Sequence, residues 1–116
     1  MSDCLFCKIV NGDIPSKIVY EDDSVLAFED INPQAPVHIL IIPKIHIATA
    51  NDIAAEHAAV VGNMFVAAKT IAEKLSISKD GYRLVMNCNQ HGGQEAYHIH
   101  LHLLGGKQLT WPPGCD

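Results

Sequence analysis

His98-Ile99-His100-Leu101-His102-Leu103-Leu104, ended by Gly105-Gly106, alternates imidazole and aliphatic side chains through three successive pairs. Strand side chains point to opposite faces in turn and rise about 3.3 Å per residue. The pattern predicts a strand from His98 to Leu104. Its three imidazoles line one face over about 13 Å, and Ile99, Leu101 and Leu103 enter a core beneath them. Three chemistries fit such a face. It can be the wet side of an edge strand. Imidazoles at i and i+2 can ligate one zinc ion. Alternatively, one histidine acts as a nucleophile while its neighbours bind an anion.

Working outward, Tyr82 to Asn87 reads as a strand after the Lys79-Asp80-Gly81 turn, and Cys88 to Gln94 as a polar, glycine-containing loop. His38 to Ile42 is a continuous apolar run ended by Pro43, as expected of a central strand buried on both faces. Lys17 to Glu21 and Val25 to Glu29, separated by Asp22-Asp23, have hairpin spacing, and a loop holding Pro33 and Pro36 follows. Asn51 and Asp52 suit a helix N-cap, and Ile53, Val60, Met64, Ala68, Ile71 and Leu75 recur at helical steps. A helix over about 52–75 is expected, with Met64 and Phe65 in the core. Leu5 to Val10 makes a short helical turn, closed by Asn11-Gly12-Asp13 and Pro15. The order β-β-β-α-β-β implies an α+β domain over 1–116: an antiparallel sheet with its helices on one face.

A chain of 116 residues, 48% hydrophobic and 18% charged, suits one core. A net charge of −5 with eight Lys and Arg disfavours a polynucleotide ligand, which would call for basic patches. No apolar run approaches the roughly 20 residues of a membrane-spanning helix, and no signal peptide is visible, so a cytoplasmic address is expected. The cysteines are Cys4, Cys7, Cys88 and Cys115. Only three residues precede Cys4, so Cys4-Leu-Phe-Cys7 follows no strand as redox pairs of the thioredoxin type do, and a metal half-site is the better reading.

Around the alternating strand, Gln94-Glu-Ala-Tyr-His98-Ile-His100-Leu-His102-Leu-Leu104-Gly-Gly106 resembles the histidine triad (HIT) family, with its His-x-His-x-His-x-x signature. Ile14-Pro-Ser-Lys-Ile18, Phe28-Glu-Asp-Ile-Asn-Pro-Gln-Ala-Pro36, Ile41-Ile-Pro-Lys44 and the ending Trp111-Pro-Pro-Gly114 are similar to its Hint branch, the histidine triad nucleotide-binding proteins. The resemblance runs from about Cys7 to Gly114. It implies the HIT fold: a five-stranded antiparallel sheet with one long and one short helix, paired into a homodimer.

It also implies an enzyme, a purine nucleoside phosphoramidase cleaving the P–N bond of adenosine 5′-phosphoramidates, or acting on related aminoacyl adenylates. His100 would be the nucleophile, its other nitrogen held by a backbone carbonyl of the same strand, and His102 would donate to the phosphate oxygens. By the same resemblance Asp30 holds the ribose, Phe28 and Ile31 lie against base and sugar, and Asn87, Gly93, Gln94 and Glu95 lie on the phosphate side. Where the eukaryotic Hint pattern has serine, this chain has Glu95, as bacterial members do. A carboxylate there can meet a cationic amine leaving group. Trp111 either reaches a neighbouring subunit's site or packs as an apolar tail.

Cys4, Cys7, His46 and His98 resemble the structural zinc site of some HIT relatives. In relatives lacking the cysteines, His46 and His98 would instead join a hydrogen-bond network behind the nucleophile. Catalysis itself would need no metal. Cys88 and Cys115 read as free thiols, His57 as a helix surface residue and His38 as strand filling, with His91 left open. Two rivals share these residues: a diadenosine polyphosphate hydrolase, and a nucleotide- or zinc-binding interaction protein with little turnover. A zinc hydrolase using the triad as ligands is a third.

Overall fold

The structure is a computed structural model, and it describes residues 4–113. Gly114 and Cys115, named above, lie outside the described residues. Five strands, β1 (Ile18–Glu21), β2 (Val25–Glu29), β3 (Val37–Pro43), β4 (Tyr82–Val85) and β5 (Leu101–Gly105), form one sheet in the order β1-β2-β3-β5-β4. Every neighbouring pair is antiparallel. The β1–β2 hairpin closes on Asp22, whose carboxylate accepts the amides of Ser24 and Val25, each at 2.9 Å, and the Tyr20 hydroxyl at 2.8 Å. The α+β, five-stranded expectation is met, and no helix among the described residues is long and apolar enough to cross a membrane.

The helices occupy both faces of the sheet, not one. The α2 helix (Ala58–Lys74) lays Met64, Ala67, Ala68, Ile71 and Ala72 on Val25, Ala27, Ile39, Ile41, Leu101 and Leu103. The short α1 (Leu5–Val10) places Phe6 and Ile9 on the opposite face, over Leu26, Phe28, Leu40 and Ile42. Period-two strands with both parities apolar need a cover on each side. That is why β2 and β3 read as continuous apolar runs. A third helix, α3 (Asn89–Gly92), is a single turn inside the segment expected to be loop.

Two boundaries differ from expectation for identifiable reasons. Thr49 and Asp52 make a reciprocal cap: Thr49 Oγ1 accepts from the Asn51 amide at 3.1 Å, and Asp52 Oδ2 accepts from the Thr49 amide at 3.1 Å. It closes only a 3₁₀ turn, Ala50–Asp52. Ile53 then runs extended while its side chain still packs on the core, and a second such turn, Ala55–His57, precedes α2. The periodicity was thus partly met without a helix. His57 belongs to that turn, not to a helix surface: its Nδ1 accepts the Ala54 amide at 2.9 Å. Phe65 is 47% exposed on the outer side of α2, a correction to its core assignment. Leu75, at the helix end, is exposed too.

The second boundary is β5, which starts at Leu101 instead of His98. Its partner β3 ends at Pro43, which has no amide proton to extend the ladder. The Pro43 carbonyl takes the His98 ring instead, and the Ile99 amide donates to Ile47 at 2.7 Å. The strand β4 stops at Val85, opposite His102, as β5 runs out.

Candidate active site and metal centre

The imidazole-bearing face is the one that α1 covers. Register places Phe28 opposite Leu40 and Leu40 opposite His102, one row across β2, β3 and β5. His98 and His100 precede the strand, yet the alternation holds, since Ile99, Leu101 and Leu103 all enter the α2-side core. His98 is fully buried, His100 nearly so, and His102 partly exposed.

The hydrogen bonds assign the ring nitrogens. His100 Nδ1 donates to the His98 carbonyl at 2.9 Å, which leaves Nε2 a bare lone pair, as a nucleophile requires. The Gln34 amide donates to His38 Nδ1 at 3.0 Å, so the His38 proton sits on Nε2. That Nε2 is 2.9 Å from His102 Nδ1 and 3.4 Å from Asp30 Oδ2. His102 Nδ1 therefore accepts, and its Nε2 carries the proton. A lone pair on His100 and an N–H on His102 stand on adjacent rings whose centroids are 4.9 Å apart. Burial, then the nearby His100 and His38 rings, push the His102 pKa down to about 4. Burial also lowers that of His38, against the pull of Asp30. Both rings are neutral near pH 7, so the network runs on tautomers, not charge.

His38 is the residue that sequence reasoning missed, having been read as strand filling. Its signal was register: two positions before Leu40, on the same face, it lies diagonal to His102.

A cavity of about 540 Å³ opens on this face, walled by Leu5, Phe6 and Ile9 of α1, with Phe28, Asp30, Ile31, Glu95, His100 and His102 among its lining. The structure thus brings together six of the expected ligand contacts. Asn87, Gly93, Gln94 and Trp111 do not line it. Gln94 is buried and braces the loop: its Nε2 donates to the Ala48 and Ala96 carbonyls at 2.8 and 3.0 Å, and its Oε1 accepts from the Asn89 amide at 2.8 Å. No amide proton of that side chain is left for a ligand. Gly93 adopts a left-handed φ of 81°, which caps α3, and its amide donates to Gln90 at 3.0 Å. The Glu95 amide has no partner among the described residues, so it is the donor this loop can offer. Trp111 is 81% exposed in the single chain.

Behind the triad, Cys4, Cys7, His46 and His98 converge. His98 Nε2 donates to the Pro43 carbonyl at 2.8 Å, turning a bare Nδ1 toward Cys4 Sγ at 3.3 Å and Cys7 Sγ at 3.6 Å. His46 Nδ1 lies 3.4 Å from Cys7 Sγ. A tetrahedral zinc ion with two thiolates and two imidazoles has S···N edges of about 3.6 Å, so the donor set fits. Burial and the neighbouring Cys4 raise the Cys7 thiol to about 11. Burial lowers the pKa of His98. The two expected roles of His98 do not compete, because the hydrogen bond uses Nε2 and the cluster uses Nδ1. The cluster is not sealed: only His98 is fully buried, and Cys4 and His46 border an open cleft of about 470 Å³. Cys88 is a free thiol.

Comparison with known proteins places this geometry. The HIT domain family matches residues 11–109. The chain is 61% identical over 105 residues to the purine nucleoside phosphoramidase of Escherichia coli K12, spanning 90% of this chain and 88% of that enzyme. A HIT family hydrolase from Legionella pneumophila Philadelphia 1, solved by crystallography, matches with a TM-score of 0.95 at 58% identity, over 97% of this chain and 100% of that one. The histidine triad nucleotide-binding protein from Candida albicans matches with a TM-score of 0.82 at 30% identity, over 95% of this chain and 83% of that one.

Proposed function

Because the chain belongs to the HIT domain family, we propose that it is a purine nucleoside phosphoramidase, a hydrolase that cleaves the P–N bond of adenosine 5′-phosphoramidates, or the P–O bond to the acyl group in related aminoacyl adenylates. The observation that carries the reading is the pair of assigned tautomers, a free lone pair on His100 Nε2 beside a free N–H on His102 Nε2, at one cavity. The relation to the Escherichia coli enzyme supports it. His100 Nε2 attacks the α-phosphorus, and the P–N bond breaks with its electron pair going to the amine, which takes a proton from solvent that the attacking water of the next step returns. Water then attacks the same phosphorus, releasing AMP and the free imidazole. His102 and the Glu95 amide donate to the phosphate oxygens where charge develops. Asp30 accepts from the ribose diol, and Phe28 and Ile31 flank the nucleoside.

Cys4, Cys7, His46 and His98 hold a zinc ion in this reading. The ion ties α1 to the strands and takes no part in the chemistry at phosphorus. The exposed Phe65 and Val66 on α2 support a homodimer, in which Trp111 reaches the neighbouring site. None of the three described cysteines is in a disulfide, which supports a reducing, cytoplasmic address.

The test is intact-protein mass spectrometry after brief mixing with adenosine 5′-phosphoramidate, wild type beside His100→Ala. An added AMP mass on wild type alone, with turnover to AMP, is the expected result. Turnover in both proteins would remove His100 from the nucleophile's role. Neither adduct nor turnover would leave a nucleotide-binding module.

A further inference from the structure

The α1 helix is shared by two sites. Its six residues are too few to form a stable helix alone. At its start Cys4 is the N-cap residue and Cys7 lies in the first turn, so both thiols of the metal centre sit at one end. Along its flank, Leu5, Phe6 and Ile9 wall the nucleotide cavity. The Phe6 ring meets His100 edge-on at 5.2 Å and 90°, and also touches His98 at 5.9 Å and Phe28 at 5.5 Å. A second link runs through His98, whose ring faces the thiols while its carbonyl holds His100 Nδ1.

We propose that α1 couples the two sites, so that zinc on the cysteine–histidine cluster raises affinity for a nucleoside monophosphate, and the nucleotide raises affinity for zinc by the same factor. The proposal rests on the nucleotide and zinc readings above and adds their linkage. Its sign follows from order. Each ligand fixes the same six residues, the metal from their end and the nucleoside from their apolar flank. Whichever binds first meets the cost of ordering α1, and the second meets less of it. Reciprocity is then a thermodynamic necessity.

The test uses binding, not turnover. AMP is titrated calorimetrically into zinc-loaded protein and into chelator-stripped protein shown by near-ultraviolet circular dichroism to remain folded. The Cys4→Ser/Cys7→Ser variant repeats the second arm without chelator. Zinc affinity is measured by chelator competition with and without saturating AMP. The expected result is AMP binding about fivefold or more weaker without zinc, with an equal gain in zinc affinity when AMP is present. Phe6→Leu should keep zinc bound and bring the factor toward one. Equal AMP affinity in loaded and stripped protein would overturn the coupling and leave both sites standing. No zinc bound at all would overturn the zinc reading and the coupling with it. An unchanged factor in Phe6→Leu would overturn the route through α1 and leave the link through His98 as the carrier.

Discussion

His38 Nε2 stands 2.9 Å from His102 Nδ1, across the β3–β5 ladder, with the far nitrogen of His38 held by the Gln34 amide. The consequence reaches the cavity: with His102 Nδ1 accepting, the proton that His102 offers a ligand is on Nε2. His38 therefore acts through His102, as a positioning residue. His38→Leu removes the partner and lets His102 take either tautomer. A fall in kcat of roughly tenfold to a hundredfold is expected, exceeding any rise in KM, because the donor matters most where charge develops. His38→Gln keeps an N–H near the same place and should recover much of the loss. Steady-state kinetics on the two variants reads the difference, and equal losses would reduce His38 to a filler.

The same network sets a pH dependence. Burial and two neighbouring imidazoles hold the His102 pKa at about 4, against about 6.5 for an unfolded histidine. A pKa lowered by folding means that the unfolded chain binds the proton more tightly. The stabilisation is complete above pH 6.5 and drains away as pH falls toward 4. His38 contributes in the same direction. Thermal unfolding should show Tm steady above pH 7 and lower by about 5 °C at pH 5, before ordinary carboxylates protonate. His102→Gln, which has no proton to gain, should flatten that slope.

Metal removal tests the cluster at the root of α1. Without a cation the Cys7 thiol is held near 11 by burial and Cys4, so a zinc ion must displace protons to bind, and loading weakens as pH falls. Native mass spectrometry should find one zinc per chain. Stripping it should lower Tm by about 5 °C or more, and Cys7→Ser should bring the loaded protein to the same value. A chain that melts alike with and without chelator would leave the thiols without a structural ion.

Why some of this was legible and some not is a matter of range. The triad, the strand runs and Cys4-x-x-Cys7 are local patterns, and the structure keeps them. The limits of β5 were not local, since they depend on Pro43, far away in sequence, having no amide to give. Ile53 satisfied helical periodicity from an extended backbone, so the spacing alone could not show that α2 starts at Ala58. The family resemblance puts Gln94 on the phosphate side together with its loop, but it cannot show which way a side chain turns, and this amide turns inward to Ala48 and Ala96. His38 carried no motif, and only the β3–β5 register puts it beside His102.

The last prediction concerns the outer side of α2. Phe65 is 47% and Val66 61% exposed, adjacent on a helix whose opposite side is fully buried, and β4 is an edge of the sheet. Two-fold pairing would bring each copy's Phe65 and Val66 into one self-complementary patch. Phe65→Glu then removes an aromatic ring from each side and sets two carboxylates in an apolar contact, which costs far more than it would on an open helix. Light scattering should report two chains for wild type and one for Phe65→Glu, with the monomer's fold intact by circular dichroism. Phosphoramidase activity should fall with it, because Trp111 would no longer reach a neighbouring site. Trp111→Ala, which leaves the α2 contact in place, should lower activity while the mass stays at two chains. A Phe65→Glu protein that remains two chains would move the interface elsewhere.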